Sequence, residues 1–139
     1  MTTPTVLEPI SQQGCEALLA NGSVGRVAVV VDGEPHVVPV NYVADGATIV
    51  FQTASDTILT AGVLRKVAFE VDAIHNKRRS GWSVCVHGHA REITNRLDPR
   101  SRRLRELFVD CWLPAGRDRS FEIVPEKVTG RYLGPPRPA

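Results

Sequence analysis

The chain has 139 residues, of which 42% are hydrophobic and 23% are charged, a composition typical of a globular protein and not of a disordered or fibrous one. Lys and Arg total 17 against 15 Asp and Glu, and this net charge of +2 is too small to predict general attraction to nucleic acid or to an anionic membrane. At about 150 residues per domain, the length predicts one domain over residues 1–139. The sequence contains no run of about 20 apolar residues, so we expect no membrane-spanning helix.

The three cysteines predict a reducing compartment. Cys15, Cys85 and Cys111 form an odd set without a CxxC pair, which argues against a disulfide framework and against a structural zinc site. The first residues lack a basic segment followed by an apolar one, so we expect no secretory signal. The predicted localisation is therefore cytoplasmic.

The first half of the chain predicts a helix and then three antiparallel strands. A helix is expected at residues 11–21, with Ser11 as its N-terminal cap and Gly22 just past its end. Strands are predicted at residues 26–31, 35–44 and 47–53. Asp32-Gly33 and Asp45-Gly46 are expected to form the turns between them, because both central residues of the favoured two-residue turn have positive φ.

Pro39 interrupts the second of these strands, because proline has no N–H to donate to a neighbouring strand. It predicts either an open strand edge or a β-bulge at this point. Bulges concentrate at barrel rims and ligand sites, so the second alternative would also indicate a ligand site.

The second half of the chain predicts two short helices among further strands. The first helix is expected at residues 55–65, and the second begins at Asp98-Pro99, a capping residue followed by proline. Four apolar residues of the second helix are spaced as a core stripe: Leu104, Leu107, Phe108 and Cys111. Strands are predicted at residues 66–72, 81–93, 120–124 and 128–133, with loops at 73–80 and 112–119. Many short antiparallel strands in a small domain favour a closed or split β-barrel.

One face of the strand at 81–93 carries possible metal ligands. Cys85, His87 and His89 alternate with Trp82, Val84 and Val86, and two imidazoles two residues apart can bind one metal ion. Same-face residues are about 6.8 Å apart, however, so another element would have to contribute. We favour ordinary polar residues on a half-buried strand and predict no metal site.

Basic residues concentrate at 77–79 and 91–105. A nucleic-acid surface would use such residues, but only Trp82 interleaves as an aromatic and no recognition motif accompanies the charge. We therefore favour a solvated surface and predict no nucleic-acid partner. A narrower alternative is that one or two of these arginines bind a phosphate or carboxylate of a small ligand.

The chain carries no recognisable nucleophile. It lacks a GxSxG motif, and the glycines Gly22 and Gly25 precede a strand and not a helix, which is the wrong context for a phosphate-binding loop. We therefore expect any reaction to depend on a cofactor.

Five strings resemble the pyridoxamine 5'-phosphate oxidase-like family of flavin-binding split barrels, in particular its short actinobacterial and nitroimidazole-reductase-like branch. They are RVAVVVDGEPHVVPVNYV, ATIVFQT, KVAFEVD, GWSVCVHGHAREI and VTGRYL, and the resemblance covers about residues 10–134. It implies a mostly β protein with flanking helices, an antiparallel split β-barrel of six or seven strands. It further implies a homodimer with FMN in two clefts at the interface, acting as an oxidoreductase on a small molecule.

The resemblance also assigns candidate cofactor-binding residues, although it leaves the catalytic residue unassigned. The flavin ring would lie along Val40 and Asn41. The ribityl chain and phosphate would be bordered by Phe51, Thr53 and Ser55. The residues expected to approach the flavin, from the same or the other subunit, are Trp82, Ser83 and Val84. Further candidates are Arg26 and Arg131.

Thr57 departs from the family pattern, because it stands where a lysine usually pairs with the flavin phosphate, and Asp56 adds a negative charge beside it. Losing a charge-assisted contact of about 1.5–3 kcal/mol would weaken FMN binding roughly ten- to a hundredfold, unless Arg65, Lys66 or the cations at 77–79 compensate. The alternatives are therefore a deazaflavin, or a non-catalytic binding protein of the same fold that has lost tight FMN binding and holds another ligand, such as haem.

Overall fold

The computed structural model describes residues 4–54, 57–61, 65–107, 109–113 and 116–137. In this part of the chain, seven strands and three helices follow in the order β1 (Val6–Pro9), α1 (Gln12–Ala20), β2 (Val24–Val31), β3 (Glu34–Asp45), β4 (Thr48–Thr53), α2 (Ile58–Ala61), β5 (Lys66–His75), β6 (Ser80–Glu92), α3 (Pro99–Glu106) and β7 (Arg119–Gly134). No helix in these ranges is both long and apolar enough to cross a bilayer.

The strands form one antiparallel sheet that closes on itself. Its order is β1-β7-β4-β3-β2-β5-β6, and an additional pairing of β6 with β7 completes the ring. The early part of β7 pairs with β4 from Ile49 to Thr53, while its last residues pair with β1. The predicted split barrel of six or seven antiparallel strands is thereby confirmed.

The first hairpin turn matches its prediction and the second does not. Asp32 and Gly33 have φ values of 52° and 78°, and Val31 pairs with Glu34 across them. In the second hairpin Asp45 pairs with Thr48, so the central residues are Gly46 and Ala47, one position later than predicted. Gly46 has a φ of 60°. A glycine with positive φ at the first central position is typical of the type II′ hairpin turn.

Four strands, β2, β3, β5 and β7, are longer than predicted, and one strand was missed. β7 joins the predicted strands at 120–124 and 128–133, because a register shift opposite His87 and Gly88 accommodates Pro125 without ending the strand. The predicted loop at 73–80 shortens to 76–79, since β5 continues to His75 and β6 begins at Ser80. β1 was not predicted, because four residues ending in proline have too few apolar positions to reveal a period.

α1 and α3 begin at their predicted caps, whereas α2 begins at Ile58 and not at residue 55, because the described residue Thr57 is not helical. The Ser11 hydroxyl accepts the Gly14 N–H at 3.1 Å, as expected of a cap, and Asp98 caps α3 through the Ser101 N–H at 3.0 Å. α3 ends at Glu106, so the predicted helical stripe is wrong beyond Leu104. Ser55 and Phe108 lie outside the described residues.

The core has two parts. The interior of the barrel holds the larger one, in which the rings of Phe51 and Phe121 stack at 5.6 Å. A smaller cluster under α3 contains Val50, Ile93 and Leu104, and Leu107 and Cys111 pack against it although they follow the helix. The large buried side chains therefore fill the barrel and fix the positions of the strands.

Candidate functional site

A cleft opens where β3 and β4 separate. The two strands pair from Tyr42–Phe51 to Asp45–Thr48, but before Tyr42 no pairing with β4 continues. The space between them, which we call the β3–β4 cleft, has a volume of about 250 Å³. Its lining residues are Val38, Pro39, Val40, Asn41, Gln52, Thr53, Thr57, Leu59, Cys111 and Arg117.

The edge of β3 that faces this cleft presents free backbone groups. Among the described strands, only β2 pairs with residues 34–41. The Tyr42 N–H donates to the Ser23 carbonyl at 3.1 Å, and hydrogen-bonded pairs alternate along an antiparallel ladder. The carbonyl of Pro39 and the N–H and carbonyl of Val37 therefore point to the open edge, where they can bond a ligand.

This geometry decides between the two alternatives for Pro39. The β2–β3 register runs without a shift from Val24–Asn41 to Val31–Glu34, so the strand has no bulge here. The open-edge alternative is correct, because the missing N–H of Pro39 falls on the side that has no strand partner among the described residues.

The side chain of Asn41 connects β3, at the wall of the cleft, to the segment that follows α3 through hydrogen bonds. Its Oδ1 accepts the Trp112 N–H at 3.0 Å, and its Nδ2 donates to the Ser23 carbonyl at 3.4 Å. Because both ends of the amide are bonded, Asn41 holds a fixed rotamer at the mouth of the cleft.

Two threonines form the other wall. The hydroxyls of Thr53 and Thr57 lie 2.9 Å apart, and the Thr57 hydroxyl also donates to the Ala54 carbonyl at 3.4 Å. These bonds connect the end of β4 to the start of α2. They place two hydroxyl groups side by side in the cleft.

Sequence reasoning missed three polar side chains that line the cleft, those of Gln52, Cys111 and Arg117. The Gln52 Oε1 accepts a hydrogen bond from the Cys111 thiol at 3.6 Å, and the Arg117 Nε donates to the Leu113 carbonyl at 3.0 Å. Burial raises the pKa of the Cys111 thiol, so it stays protonated and is a poor nucleophile. Arg117 and Cys111 come from irregular segments, where no periodic pattern could have revealed them.

The structure brings together four of the predicted site residues. Val40, Asn41, Thr53 and Thr57 line the β3–β4 cleft. Phe51 and Val84 are buried in the barrel interior, so they can reach a ligand only through their backbone atoms. Ser55 lies outside the described residues.

The remaining candidates lie elsewhere on the barrel. Trp82, Ser83 and Arg131 line a second cavity of about 460 Å³ that shares no lining residue with the first. Arg26 lies on the outer face, where its guanidinium is 3.2 Å from Glu70 and 3.6 Å from Asp72.

The polar cluster of β6 does not assemble ligands for a metal ion. The Cys85 Sγ lies 3.8 Å from the His87 Nδ1, while the His89 Nδ1 bonds the Glu126 carboxylate at 3.1 Å. Among the residues that the structure describes, no group of three His, Cys, Asp or Glu side chains is arranged to hold a metal. Burial, followed by the charge of Glu70, raises the pKa of Cys85, so its thiolate is also disfavoured.

The basic segment around α3 is largely compensated by carboxylates. Arg103 bonds Asp45 at 2.8 Å, Arg96 bonds Asp98 at 3.0 Å, and Arg100 bonds the buried Glu122. Arginines that are already paired contribute less to binding a polyanion, which agrees with the solvated-surface interpretation.

Comparison with known proteins gives a consistent family match. Residues 11–132 match the family model described as pyridoxamine 5'-phosphate oxidase. An uncharacterized protein of Mycobacterium tuberculosis, Rv0080, is 32% identical over 121 residues, which cover 81% of this chain and 76% of that protein.

Two solved structures extend this similarity to the whole fold. The structure of the FAD binding protein from Mycobacterium smegmatis superposes with a TM-score of 0.74 at 31% identity, covering 90% of this chain and 98% of that one. A candidate pyridoxamine 5'-phosphate oxidase from Corynebacterium glutamicum superposes with a TM-score of 0.78 at 27% identity, covering 99% of both chains.

Proposed function

Because this chain belongs to the pyridoxamine 5'-phosphate oxidase family, we propose that it binds a flavin in the β3–β4 cleft and acts as an oxidoreductase on a small molecule. The observation that carries the proposal is the open edge of β3 beside Asn41, Thr53 and Thr57. It combines free backbone groups, short polar side chains and apolar walls in one cleft.

The cleft suits the chemistry of a flavin. A flavin ring is planar, with an apolar end and an end rich in hydrogen-bond donors and acceptors. Val38, Val40 and Leu59 supply apolar contacts, while the backbone of Val37 and Pro39 and the Asn41 side chain supply polar ones. Arg117 lines the same cleft and is a cationic partner for a phosphate.

FAD is the flavin we favour over FMN. The Mycobacterium smegmatis protein that is 31% identical to this chain is named as an FAD binding protein. A dinucleotide spreads its binding over a second phosphate and an adenine, so it depends less on a lysine at the position of Thr57. A deazaflavin remains the other candidate, since the same cleft would accept its ring.

A second copy of the chain would complete the site. The cleft volume of about 250 Å³ falls below the roughly 300–1,000 Å³ of usual small-molecule pockets. In a homodimer, a partner subunit that covers the open side would add walls to the cleft, enlarge its enclosed volume and exclude water from it. Trp82, Ser83 and Val84 stay predicted flavin neighbours, and this arrangement would let them act from the partner.

The protein's own part in the reaction is binding and orientation. Hydride exchange with the substrate would be supplied by the flavin. The Asn41 amide is held at both ends, so it can orient a ligand without a change of rotamer. Cys111 is kept protonated, and we assign no side-chain nucleophile.

The alternative is a non-catalytic binding protein of the same fold that holds a flavin loosely or takes haem. It is favoured by Thr57 and Asp56, which stand at the phosphate-binding position of the family. Anaerobic mixing of the flavin-loaded protein with NADH and NADPH separates the two functions, because only an oxidoreductase would bleach the flavin absorption at a catalytically useful rate.

Flavin fluorescence titration of the full chain with FAD and FMN tests the site. Thr53→Val, which removes a hydroxyl without changing shape, should weaken flavin binding about fivefold, the equivalent of one hydrogen bond of about 1 kcal/mol. Thr129→Val is the matched control, because Thr129 is exposed on β7 away from the cleft. Equal affinities of the wild type and Thr53→Val, or no flavin binding at all, would contradict the proposal.

A further inference from the structure

A cavity opens where β2 and β5 cease to pair, beside the C-terminal end of α1. The ladder between the two strands ends at Arg26–Glu70, so Val24 and Asp72, which come next in the same register, are not paired with each other. The space between them has a volume of about 310 Å³, and we call it the β2–β5 gap. Its lining residues are Leu18, Asn21, Gly22, Ser23, Val24, Val71, Asp72 and Trp82.

The carboxylates of Glu70 and Asp72 bring more negative charge to this gap than Arg26 neutralises. The two acidic residues lie on one face of β5, and a hydrogen bond joins their carboxyl groups. The Arg26 guanidinium is 3.2 Å from Glu70 and 3.6 Å from Asp72. Among the residues whose positions the structure gives, no other Lys, Arg or His lies within 4.0 Å of either carboxylate. One cation therefore serves two carboxylates, which agrees with the raised pKa of Glu70, caused first by burial and then by Asp72.

The C-terminal end of α1 adds to this negative charge. The last carbonyls of a helix carry a partial negative charge, and α1 has no basic residue in its last turn. A carboxylate such as Asp72 is an unfavourable neighbour for this end of the helix, whereas a cation between the two would be stabilised by both. Asn21 and Ser23 line the gap as well, and their side-chain oxygens can accept hydrogen bonds from an ammonium group.

The rest of the gap is apolar. Its apolar lining residues are Leu18, Val24, Val71 and Trp82, and the ring of a tryptophan also attracts cations. The volume lies at the lower end of the range of about 300–1,000 Å³ that is usual for small-molecule pockets. The gap therefore suits a small ligand that has both a positive charge and an apolar body.

We propose that the β2–β5 gap binds a small alkylammonium ion, with its nitrogen at Asp72 and its alkyl chain against Leu18 and Val71. A hydrated inorganic cation would leave the apolar walls unused, and an anion would be repelled by Asp72. This site goes beyond the proposed flavin cleft, because the β2–β5 gap and the β3–β4 cleft share no lining residue.

Titration calorimetry with hexylammonium tests the proposal, with hexanol as the neutral and hexanoate as the anionic probe of the same length. The wild type should bind one hexylammonium per chain, and it should bind the other two probes at least about tenfold more weakly, because they lack the charge-assisted contact. Equal affinity for hexanol or hexanoate would overturn the proposal, as would the absence of saturable hexylammonium binding.

Two sources can supply this cation: a free alkylamine, or the lysine side chain of another polypeptide. Competition between hexylammonium and Nα-acetyl-lysine methylamide, which carries a peptide group on each side of the lysine, distinguishes them. Displacement of hexylammonium shows that the gap accepts a lysine within a chain. The absence of displacement identifies a free alkylamine as the ligand.

The Asp72→Asn variant should bind hexylammonium at least about tenfold more weakly, because it loses a charge-assisted contact. Its affinity for hexanol should change less than about twofold. Asp32→Asn is the matched control, since Asp32 is exposed in the turn that follows β2 and does not line the gap. Unchanged hexylammonium binding by Asp72→Asn, or an equal loss in Asp32→Asn, would contradict the proposal.

A second variant keeps the test decisive if Asp72→Asn does not fold. Asn21→Lys adds a basic residue at the C-terminal end of α1, a favourable position for lysine. The new ammonium group should compete with the ligand and weaken hexylammonium binding at least about fivefold, whereas the control Asn21→Gln should change it less than about twofold. Equal affinities of these two variants would overturn the proposal. All these titrations are made without flavin, so their results stand or fall separately from the proposed function.

Discussion

The hydroxyl oxygens of Thr53 and Thr57 lie 2.9 Å apart in the β3–β4 cleft, and Thr57 stands where the resemblance to the family predicts a lysine. This bond joins the end of β4 to α2, and it leaves the phosphate side of the proposed flavin site with neutral donors. Among the described residues that line the same cleft, Arg117 carries a charge. The identity of residue 57 should therefore control how strongly the protein prefers one flavin over another.

The Thr57→Lys variant should bind FMN about ten- to a hundredfold more tightly than the wild type, because it adds a charge-assisted bond to the phosphate. FAD affinity should rise less. Flavin fluorescence titration measures both constants. Thr57→Val is the control, since it removes the bond to Thr53 without adding charge, and it should not raise FMN affinity. If Thr57→Lys leaves FMN affinity unchanged, the departure at residue 57 is irrelevant to phosphate binding.

Tyr42 should make stability fall in alkaline solution. Its buried hydroxyl donates to the Leu19 carbonyl at 2.7 Å, and burial raises the pKa of Tyr42 to about 12, above the value of about 10 in the unfolded chain. The folded state therefore holds this proton more tightly, and the stability that it contributes is lost as the pH rises from 10 towards 12.

Urea unfolding at pH 9 and pH 11 checks this expectation. The wild type should lose about 1 kcal/mol more between the two values than Tyr42→Phe, which has no ionisable hydroxyl. Tyr42→Phe should itself be less stable by about 1 kcal/mol at neutral pH, since the Leu19 carbonyl loses its donor. Parallel pH profiles of the two proteins would show that Tyr42 titrates normally.

Among the residues that hold α3 against the barrel, Glu122 should be the one whose substitution lowers the stability of the protein most. Its carboxylate is fully buried and bonds Arg91 at 3.0 Å and also Arg100 of α3. Glu122→Gln should lower the unfolding free energy by about 2–4 kcal/mol, because two arginines lose a buried charged partner. Glu106→Gln, at an exposed position on α3, should change it by less than about 0.5 kcal/mol. Similar effects of the two substitutions in chemical denaturation would argue against this role.

Glu70 should destabilise the protein as the pH rises from about 5 to 8. Burial first, and then the hydrogen bond and charge of Asp72, raise the pKa of Glu70 to about 7, despite the opposing effect of Arg26. A folded pKa above the unfolded value means that the stability it contributes is present below about 4.5 and is lost as the pH rises through 7. Solvent screening reduces the effect, because the side chain is about one-third exposed.

Thermal unfolding of Glu70→Gln across pH 5 to 8 tests this assignment. The variant mimics the protonated carboxyl, so it should be more stable than the wild type at pH 8 and should vary less with pH. Glu126→Gln, an exposed carboxylate on β7, serves as the comparison. A Glu70→Gln protein that is less stable at pH 8 would mean that the bond to Arg26 outweighs the cost of ionising Glu70.

The sequence predicted those parts of the fold that depend on nearby residues. The capping of α1 by Ser11, the turn at Asp32-Gly33 and the alternation along β6 are local signals, and the structure confirms them. Features that depend on distant contacts were missed. β1 exists because it pairs with the far end of β7, and β7 continues past Pro125 because its register with β6 shifts by one residue between Pro125 and Lys127.

The residues of the candidate site likewise comprise some that local signals predicted and others whose positions depend on distant contacts. Asn41, Thr53 and Thr57 stand on strands whose positions could be predicted, and they line one cleft. Arg117 and Cys111 reach that cleft from irregular segments, and the bond between Asn41 and Trp112 joins residues far apart in sequence. Such contacts follow from the closure of the barrel, which no local pattern encodes.

The visible absorption spectrum of the 139-residue protein, recorded as purified and again after saturation with FAD and removal of free ligand, tests whether the β3–β4 cleft binds a flavin. We predict the two absorption bands of a flavin in a stoichiometry of about one per subunit, and partial loss of that signal in Thr53→Val. A protein that stays colourless after exposure to FAD, FMN and a deazaflavin, or that instead carries the absorption of haem, would contradict a flavin site between β3 and β4.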